Sequence, residues 1–212
     1  MSHKDAAGNN VFYRELVCKL LLVRHGETEA NRQGLFQGRI DWPLNETGRA
    51  QIEATAERFK SYKIDHVYSS PALRARQTAD ILNQYWQAPL TEEERLWEID
   101  HGTWEGRSYQ DVYDGDPQSW QDWLNLKIDA PHGGETLGDA SVRLGAWFQE
   151  VKASYQGEEP TLAIVAHGGC LQVFLSDLLK TPHSNLWPYQ FKNGAVAEVW
   201  VFALGAKLTL LV

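Results

Sequence analysis

Long hydrophobic runs are missing from this sequence of 212 residues. The longest near its start, Leu20 to Val23, stops at Arg24, far short of the ~18 apolar residues of a membrane span. Met1 to Val17 hold no apolar stretch of signal-peptide length. No membrane association is expected, and a cytoplasmic home is favoured. Cysteine is scarce: Cys18 and Cys170 are the whole complement. They are too few for a disulfide framework and not spaced as C-x-x-C, so both read as buried thiols, Cys170 as helix-packing core. Positive charge is short as well, with 20 Lys+Arg against 28 Asp+Glu and a net charge of −8. So acidic a chain has no electrostatic footprint for nucleic acid, and any anion it binds must be held locally. The seven histidines form no H-E-x-x-H pair and no close Cys/His spacing, so no metal site is expected. There is no G-x-x-x-x-G-K-[ST] phosphate loop, no G-x-S-x-G nucleophile elbow, no internal repeat and no low-complexity tract.

The residues present are those of a globular chain: 43% hydrophobic, 23% charged, with nine Trp and eight Tyr. Short apolar runs suited to buried strands lie at 18–23, 65–68, 161–166, 195–202 and 207–212. Helical patterns lie between them. The first follows Asn45-Glu-Thr47-Gly, with Thr47 as a candidate cap, and carries Ala50, Ile52, Ala56 and Phe59 on one face. A second starts at Pro71 and continues to about Trp86. A third spans about 135–155, with Leu137, Val142, Leu144, Trp147, Phe148 and Val151 largely on one side, and a fourth follows Gly168-Gly169. Strands alternating with helices argue for an α/β sandwich with a mainly parallel central sheet flanked by helices. One domain is expected over 18–212, with an insertion at about 99–134. Residues 1–17 form an amino-terminal extension suited to a surface strand, a subunit contact or a frayed end, which leaves a homodimer open. Trp86, Trp147 and Trp200 read as core. Trp120 and Trp123, in the insertion, divide evenly between packing and facing a substrate.

Open α/β sheets place chemistry beyond the carboxyl ends of their strands. Those ends carry Arg24-His25-Gly26, then Ser69-Ser70 leading to Arg74, then His167-Gly168-Gly169. Two histidines and two arginines therefore converge on one sheet edge and make a local cationic pocket suited to phosphate or carboxylate. Gly168 and Gly169 open a helix whose N–H groups can face an anion.

On these residues the sequence resembles the histidine phosphatase superfamily, in its phosphoglycerate-mutase-like branch. The motifs are Leu22-Val-Arg-His-Gly-Glu-Thr-Glu-Ala-Asn31, Gln37-Gly38 with Pro43-Leu-Asn-Glu-Thr-Gly48, and Ser69-Ser-Pro-Ala-Leu-Arg-Ala-Arg-Gln-Thr-Ala79. They continue with Leu96-Trp-Glu98 and Gly102-Thr-Trp-Glu-Gly106, Gly133-Gly-Glu-Thr136, and Val165-Ala-His-Gly-Gly169. They occur in order over roughly 18–202. Pro71-Ala72 departs from the usual polar pair, so Arg74 is carried over by its spacing to Thr78-Ala79, with Arg76 as the other claimant.

The resemblance implies a three-layer phosphoglycerate-mutase-like sandwich and a phosphomonoesterase without cofactor, acting on a small-molecule phosphomonoester. By this pattern His25 attacks phosphorus, Arg24, Arg74 and His167 neutralise the non-bridging oxygens, Asn31 adds a neutral donor, and Glu98 is the proton donor. Gln37, Gly38 and Gly168 join Asn31 as substrate-binding positions. The alternatives are a phosphoglycerate mutase, an α-ribazole phosphate phosphatase as the specific substrate reading, and a catalytically dead adaptor. Between 99 and 134 two strong bases, Arg107 and Lys127, face seven acids: Asp100, Glu105, Asp111, Asp114, Asp116, Asp122 and Asp129. Such a lid is expected to repel a carboxylate-bearing triose, which favours the phosphatase. With Tyr109, Tyr113, Trp120 and Trp123 it suits a neutral, cationic or aromatic leaving group.

Overall fold

The computed structural model describes residues 15–128, 130–186 and 188–212. Residues 1–14 of the expected extension, and Asp129 among the insertion's acids, lie outside the described residues. The strands are β1 (Leu16–Arg24), β2 (His66–Ser69), β3 (Leu90–Glu92), β4 (Thr161–Ala166), β5 (Val196–Phe202) and β6 (Gly205–Leu211). The α-helices are α1 (Glu29–Arg32), α2 (Glu46–Phe59), α3 (Leu73–Trp86), α4 (Tyr109–Gly115), α5 (Pro117–Leu124), α6 (Leu137–Ser154) and α7 (Gly168–Leu178).

A continuous apolar run such as Leu20-Leu-Leu-Val23 is buried on both faces because a strand alternates its side chains. Leu20 and Leu22 pack with Leu144, Trp147 and Phe148 of α6 and Leu171 and Phe174 of α7. Leu21 and Val23 face the other way, into Ile52, Ala56 and Phe59 of α2 and Ala75, Ala79 and Leu82 of α3. Helices on both faces make three layers. The sheet order is β3-β2-β4-β1-β5-β6, and β1, β2, β3 and β4 pair in parallel. β5 is antiparallel to both β1 and β6, so the sheet is mixed and β5 alone runs against the rest.

Several local expectations shift. β1 begins at Leu16 because Leu16 pairs with Phe202 of β5. The α2 cap is Asn45, not Thr47: the Asn45 carboxamide oxygen accepts from the Gly48 N–H at 2.7 Å, and Thr47 already lies within the helix. Helix α3 starts at Leu73, whose N–H is taken by Asp41 Oδ1 at 2.8 Å. Val142 does not join the buried face of α6 and is 72% exposed; two residues from both Ala140 and Leu144, it is rotated about 200° from each. Trp200 is half-buried, on the face of β5 that alternates with Val199 and Val201, beside Glu198 and under the Lys19 ammonium. Trp86 and Trp147 are buried, as are the free thiols Cys18 and Cys170. Burial pushes both thiols up to about 12, which keeps them protonated and unreactive.

Strand β3 has no apolar signal because all three of its side chains are exposed. Residues 99–134 carry α4 and α5 around a third small core of Phe36, Trp104 and Val112. Among the described residues no helix is long and apolar enough to cross a membrane.

Candidate active site

Register brings the functional residues together. Arg24 pairs with Ala166, and Ser69 with Val165, so the next residues of the three strands, His25, Ser70 and His167, emerge side by side. His25 and His167 meet edge to face, with ring centroids 5.2 Å apart. His25 is 2% exposed. Its Nδ1 lies 2.7 Å from the Gly26 carbonyl, which can only accept, so Nδ1 carries the proton and Nε2 keeps a free lone pair. Burial, then the charges of Arg74 and Arg24, hold the His25 pKa well below the ordinary 6.5.

Arg74 is fully buried and fixed by three bonds, from Nε to His167 Nδ1 at 3.1 Å, Nη1 to the Ile40 carbonyl at 2.9 Å and Nη2 to the Gly38 carbonyl at 2.7 Å. Two of its five N–H donors remain. Arg76, the other claimant, lies on the surface and pairs with Glu92 at 3.0 Å. His167 has a different place from the expected one. Its Nδ1 accepts from Arg74 and its Nε2–H donates to Ser70 Oγ at 2.8 Å. Both nitrogens are occupied and the residue is wholly buried, so it stands behind Arg74 and orients it. Burial, then the charge of Arg74, lowers its pKa too; the ring is neutral.

Arg24 donates from Nη1 to the Phe191 carbonyl at 2.6 Å, while its Nε is buried without a partner. Gly168 lies beside this group: a Cβ on it would stand in ordinary contact, 3.4 Å from the Arg24 guanidinium. Asn31 Oδ1 is held by the Thr28 N–H and Asn193 Nδ2, and Gln37 Oε1 by the Thr28 hydroxyl at 2.8 Å. Each amide thus has its oxygen tied and its NH₂ available on the cavity wall. Gly38 has φ +48 and no room for a Cβ, which would strike the Glu105 carboxylate.

Glu98 occupies the start of α7. Its Oε1 accepts from Ile99 N at 2.9 Å and Cys170 N at 2.8 Å, and Oε2 accepts from Gly169 N at 3.2 Å. The Gly169 N–H expected to face a bound anion is therefore taken by Glu98. Oε2 thus makes the single, longer bond.

Arg24, His25, Asn31, Gln37, Gly38, Arg74, Glu98 and Gly168, but not His167, line one cavity of about 660 Å³, which also takes in Phe36, His101, Tyr109, Trp120, Trp123 and Lys192. The described acids of the insertion do not line it. Asp111 and Asp116 cap α4 and α5, Asp122 pairs with Lys127, Asp100 binds the Gly102 N–H, and Glu105 binds the N–H groups of Arg39 and His101. Among the described residues the insertion therefore puts no carboxylate on the cavity wall to produce the expected repulsion; capping and loop bonds absorb those acids. Among the described residues no cluster of three or more His, Cys, Asp or Glu is placed to hold a metal ion.

Sequence reasoning passes over three contributors. Ser70 orients His167, and was within reach as a strand-end residue. Phe191 and Asn193 precede β5, and the rule of looking beyond strand ends misses them because β5 runs backwards; its start lies at the catalytic edge. Asn193 Nδ2 reaches both the His25 carbonyl and Asn31 Oδ1.

The depressed histidines have a pH consequence. Since His25 is neutral far below pH 6.5, kcat should not fall as pH drops from 7.5 to 6; a pH profile with an acid limb near 6.5 would contradict this geometry. Stability carries the same sign. The unfolded chain binds protons at His25 and His167 first, so their contribution is complete above about pH 6.5 and fades below it. The slope is about 1.4 kcal/mol per pH unit for each ring until its folded pKa is reached. Urea unfolding between pH 7 and 5 measures it.

Comparison with known proteins shows the family. A family model for the histidine phosphatase superfamily (branch 1) matches residues 20–211. An adenosylcobalamin/alpha-ribazole phosphatase of Salmonella typhimurium is 32% identical over 182 residues, covering 85% of this chain and 89% of the relative. Phosphoserine phosphatase 1 of Hydrogenobacter thermophilus is 30% identical over 186 residues, 85% of each chain. The solved structure of Bacillus stearothermophilus YhfR superposes with a TM-score of 0.83 at 30% identity, covering 91% of this chain and 96% of that one.

Proposed function

The chain belongs to branch 1 of the histidine phosphatase superfamily, and from its membership among phosphatases we propose that it hydrolyses phosphomonoesters through a phosphohistidine on His25. The observation that carries this reading is the His25 ring itself. Its proton is fixed on Nδ1 by the Gly26 carbonyl, which leaves a neutral Nε2 nucleophile on the wall of a cavity shared with Arg24 and Arg74.

In the first step the Nε2 lone pair forms a bond to phosphorus and the ester P–O bond breaks. The leaving oxygen takes the proton of the Glu98 carboxyl and departs as an alcohol. The remaining donors of Arg74, the unpartnered Nε of Arg24 and the amides of Asn31 and Gln37 hold the non-bridging oxygens as charge builds on them. His167 acts through Arg74. In the second step water attacks phosphorus and gives its proton to the Glu98 carboxylate. The P–N bond breaks with its electron pair returning to Nε2, and inorganic phosphate leaves.

Rapid quench into alkaline detergent of enzyme mixed with ³²P-labelled substrate tests the scheme. The label should stay on the protein, stable in base and lost in acid, and should map to His25. Label retained in His25→Ala would overturn the assignment. The Glu98 role is read separately. Glu98→Gln should slow alkyl phosphates by about 10²–10³-fold and 4-nitrophenyl phosphate far less, since a good leaving group needs little protonation. Equal losses on both would reduce Glu98 to a structural ligand of the α7 N-terminus.

Phosphoserine and α-ribazole phosphate, after which two of the relatives are named, are substrates to try. The former leaves a small zwitterion and the latter a bulky heterocyclic group, so the part of the cavity beyond the phosphoryl group decides between such classes.

A further inference from the structure

We propose that the wall contributed by Phe36 and the insertion is a leaving-group subsite for a flat apolar ring, so that among phosphomonoesters the chain prefers those whose alcohol carries an aromatic group. The inference rests on the phosphatase reading above and deepens it.

Phe36 is the hub of this wall. Its ring centroid lies 4.8 Å from that of Tyr109, 5.8 Å from Trp123 and 6.1 Å from Trp120. The cluster is closed on one side only. Trp104 and Val112 are buried beneath it, whereas Trp120 and Trp123 are half-buried and Tyr109 is 46% exposed, and all three line the cavity. Helix α5 presents Trp120 and Trp123 three residues apart on one face, and none of its eight residues is buried. A helix that turns its two largest rings toward a cavity without burying them leaves apolar surface for a ligand to cover. Tyr113, by contrast, does not line the cavity.

Charge points the same way. No acidic or basic side chain of the described insertion lines the cavity, and burial holds His101 below its ordinary pKa, hence neutral. Among the described residues Lys192 is the one Lys or Arg of the lining outside the phosphoryl corner, and it is exposed. A leaving-group carboxylate paired with it would stay in solvent and gain only a few-fold in affinity. A phenyl-sized ring removed from water against the aromatic wall gains about 30-fold or more. The larger effect sets the preference.

Phosphonates, which cannot be hydrolysed, separate this inference from the catalytic one. Calorimetry on the full chain should find 2-phenylethylphosphonate binding about 30-fold tighter than ethylphosphonate, and 2-carboxyethylphosphonate within a few-fold of ethylphosphonate. Trp120→Ala and Trp123→Ala should each cut the phenylethyl-to-ethyl ratio to below about 5, and Trp123→Phe should restore most of it. A wild-type ratio under about 3, tightest binding of the carboxyethyl compound, or a ratio untouched by both alanine variants each overturns the subsite. The wild-type comparison decides even if an alanine variant does not fold. Failure to hydrolyse the matching phosphates would instead count against the phosphatase chemistry, because binding is measured without turnover.

Discussion

His25→Ala should lower kcat/KM for any phosphomonoester by about 10⁴-fold or more, the loss that follows when the group forming the covalent bond is removed and only the binding environment remains. Among the described residues no other imidazole stands ready to replace it. His167, the nearest imidazole, has Nδ1 occupied by Arg74 and Nε2 by Ser70. The fold should survive, because among the described residues the His25 ring hydrogen-bonds only to the carbonyl of the next residue. Thermal unfolding beside the rate separates the two effects. Because the ring leaves a buried space of its own size, added imidazole should restore part of the activity. A loss of less than about 100-fold would mean that phosphorus is attacked by something else, water included.

Arg74→Lys should cost about 10³-fold in kcat/KM and destabilise the fold by about 3 kcal/mol, although it keeps the charge. The guanidinium satisfies His167 Nδ1 and the carbonyls of Ile40 and Gly38 simultaneously, and its fork still has two donors for a phosphoryl group. An ammonium has three protons and no fork. It must abandon either the carbonyls, which pin the loop carrying Gln37 and Gly38, or the substrate. Kinetics on phosphate esters together with urea unfolding checks both parts. A variant with near-normal activity would show that Arg74 supplies charge alone. By comparison Arg76→Lys, at a surface pair with Glu92, should alter neither measurement by more than about 0.5 kcal/mol.

The sequence by itself determined the parts that depend on local pattern. The run through Leu20 to Val23 had to be a strand buried on both faces, since every one of its side chains is apolar. Ile52, Ala56 and Phe59 had to share a helix face, since they recur at helical spacing. Once those strands were read, Arg24, His25, Arg74 and His167 fell at one sheet edge by topology, and the ordered motifs pointed to phosphoryl chemistry. Tertiary structure alone decided how these residues meet. It ran β5 against its neighbours, which brought Phe191 and Asn193 to the catalytic edge. It seated Glu98 on the N-terminus of α7, turned His167 behind Arg74, and drew the insertion's described acids into caps and loop bonds while leaving Trp120 and Trp123 facing the cavity. The division has a physical cause. Periodicity and composition act over a few residues and can be read along the chain, whereas strand direction and side-chain orientation are set by contacts between residues such as Arg74 and His167, which are 93 positions apart.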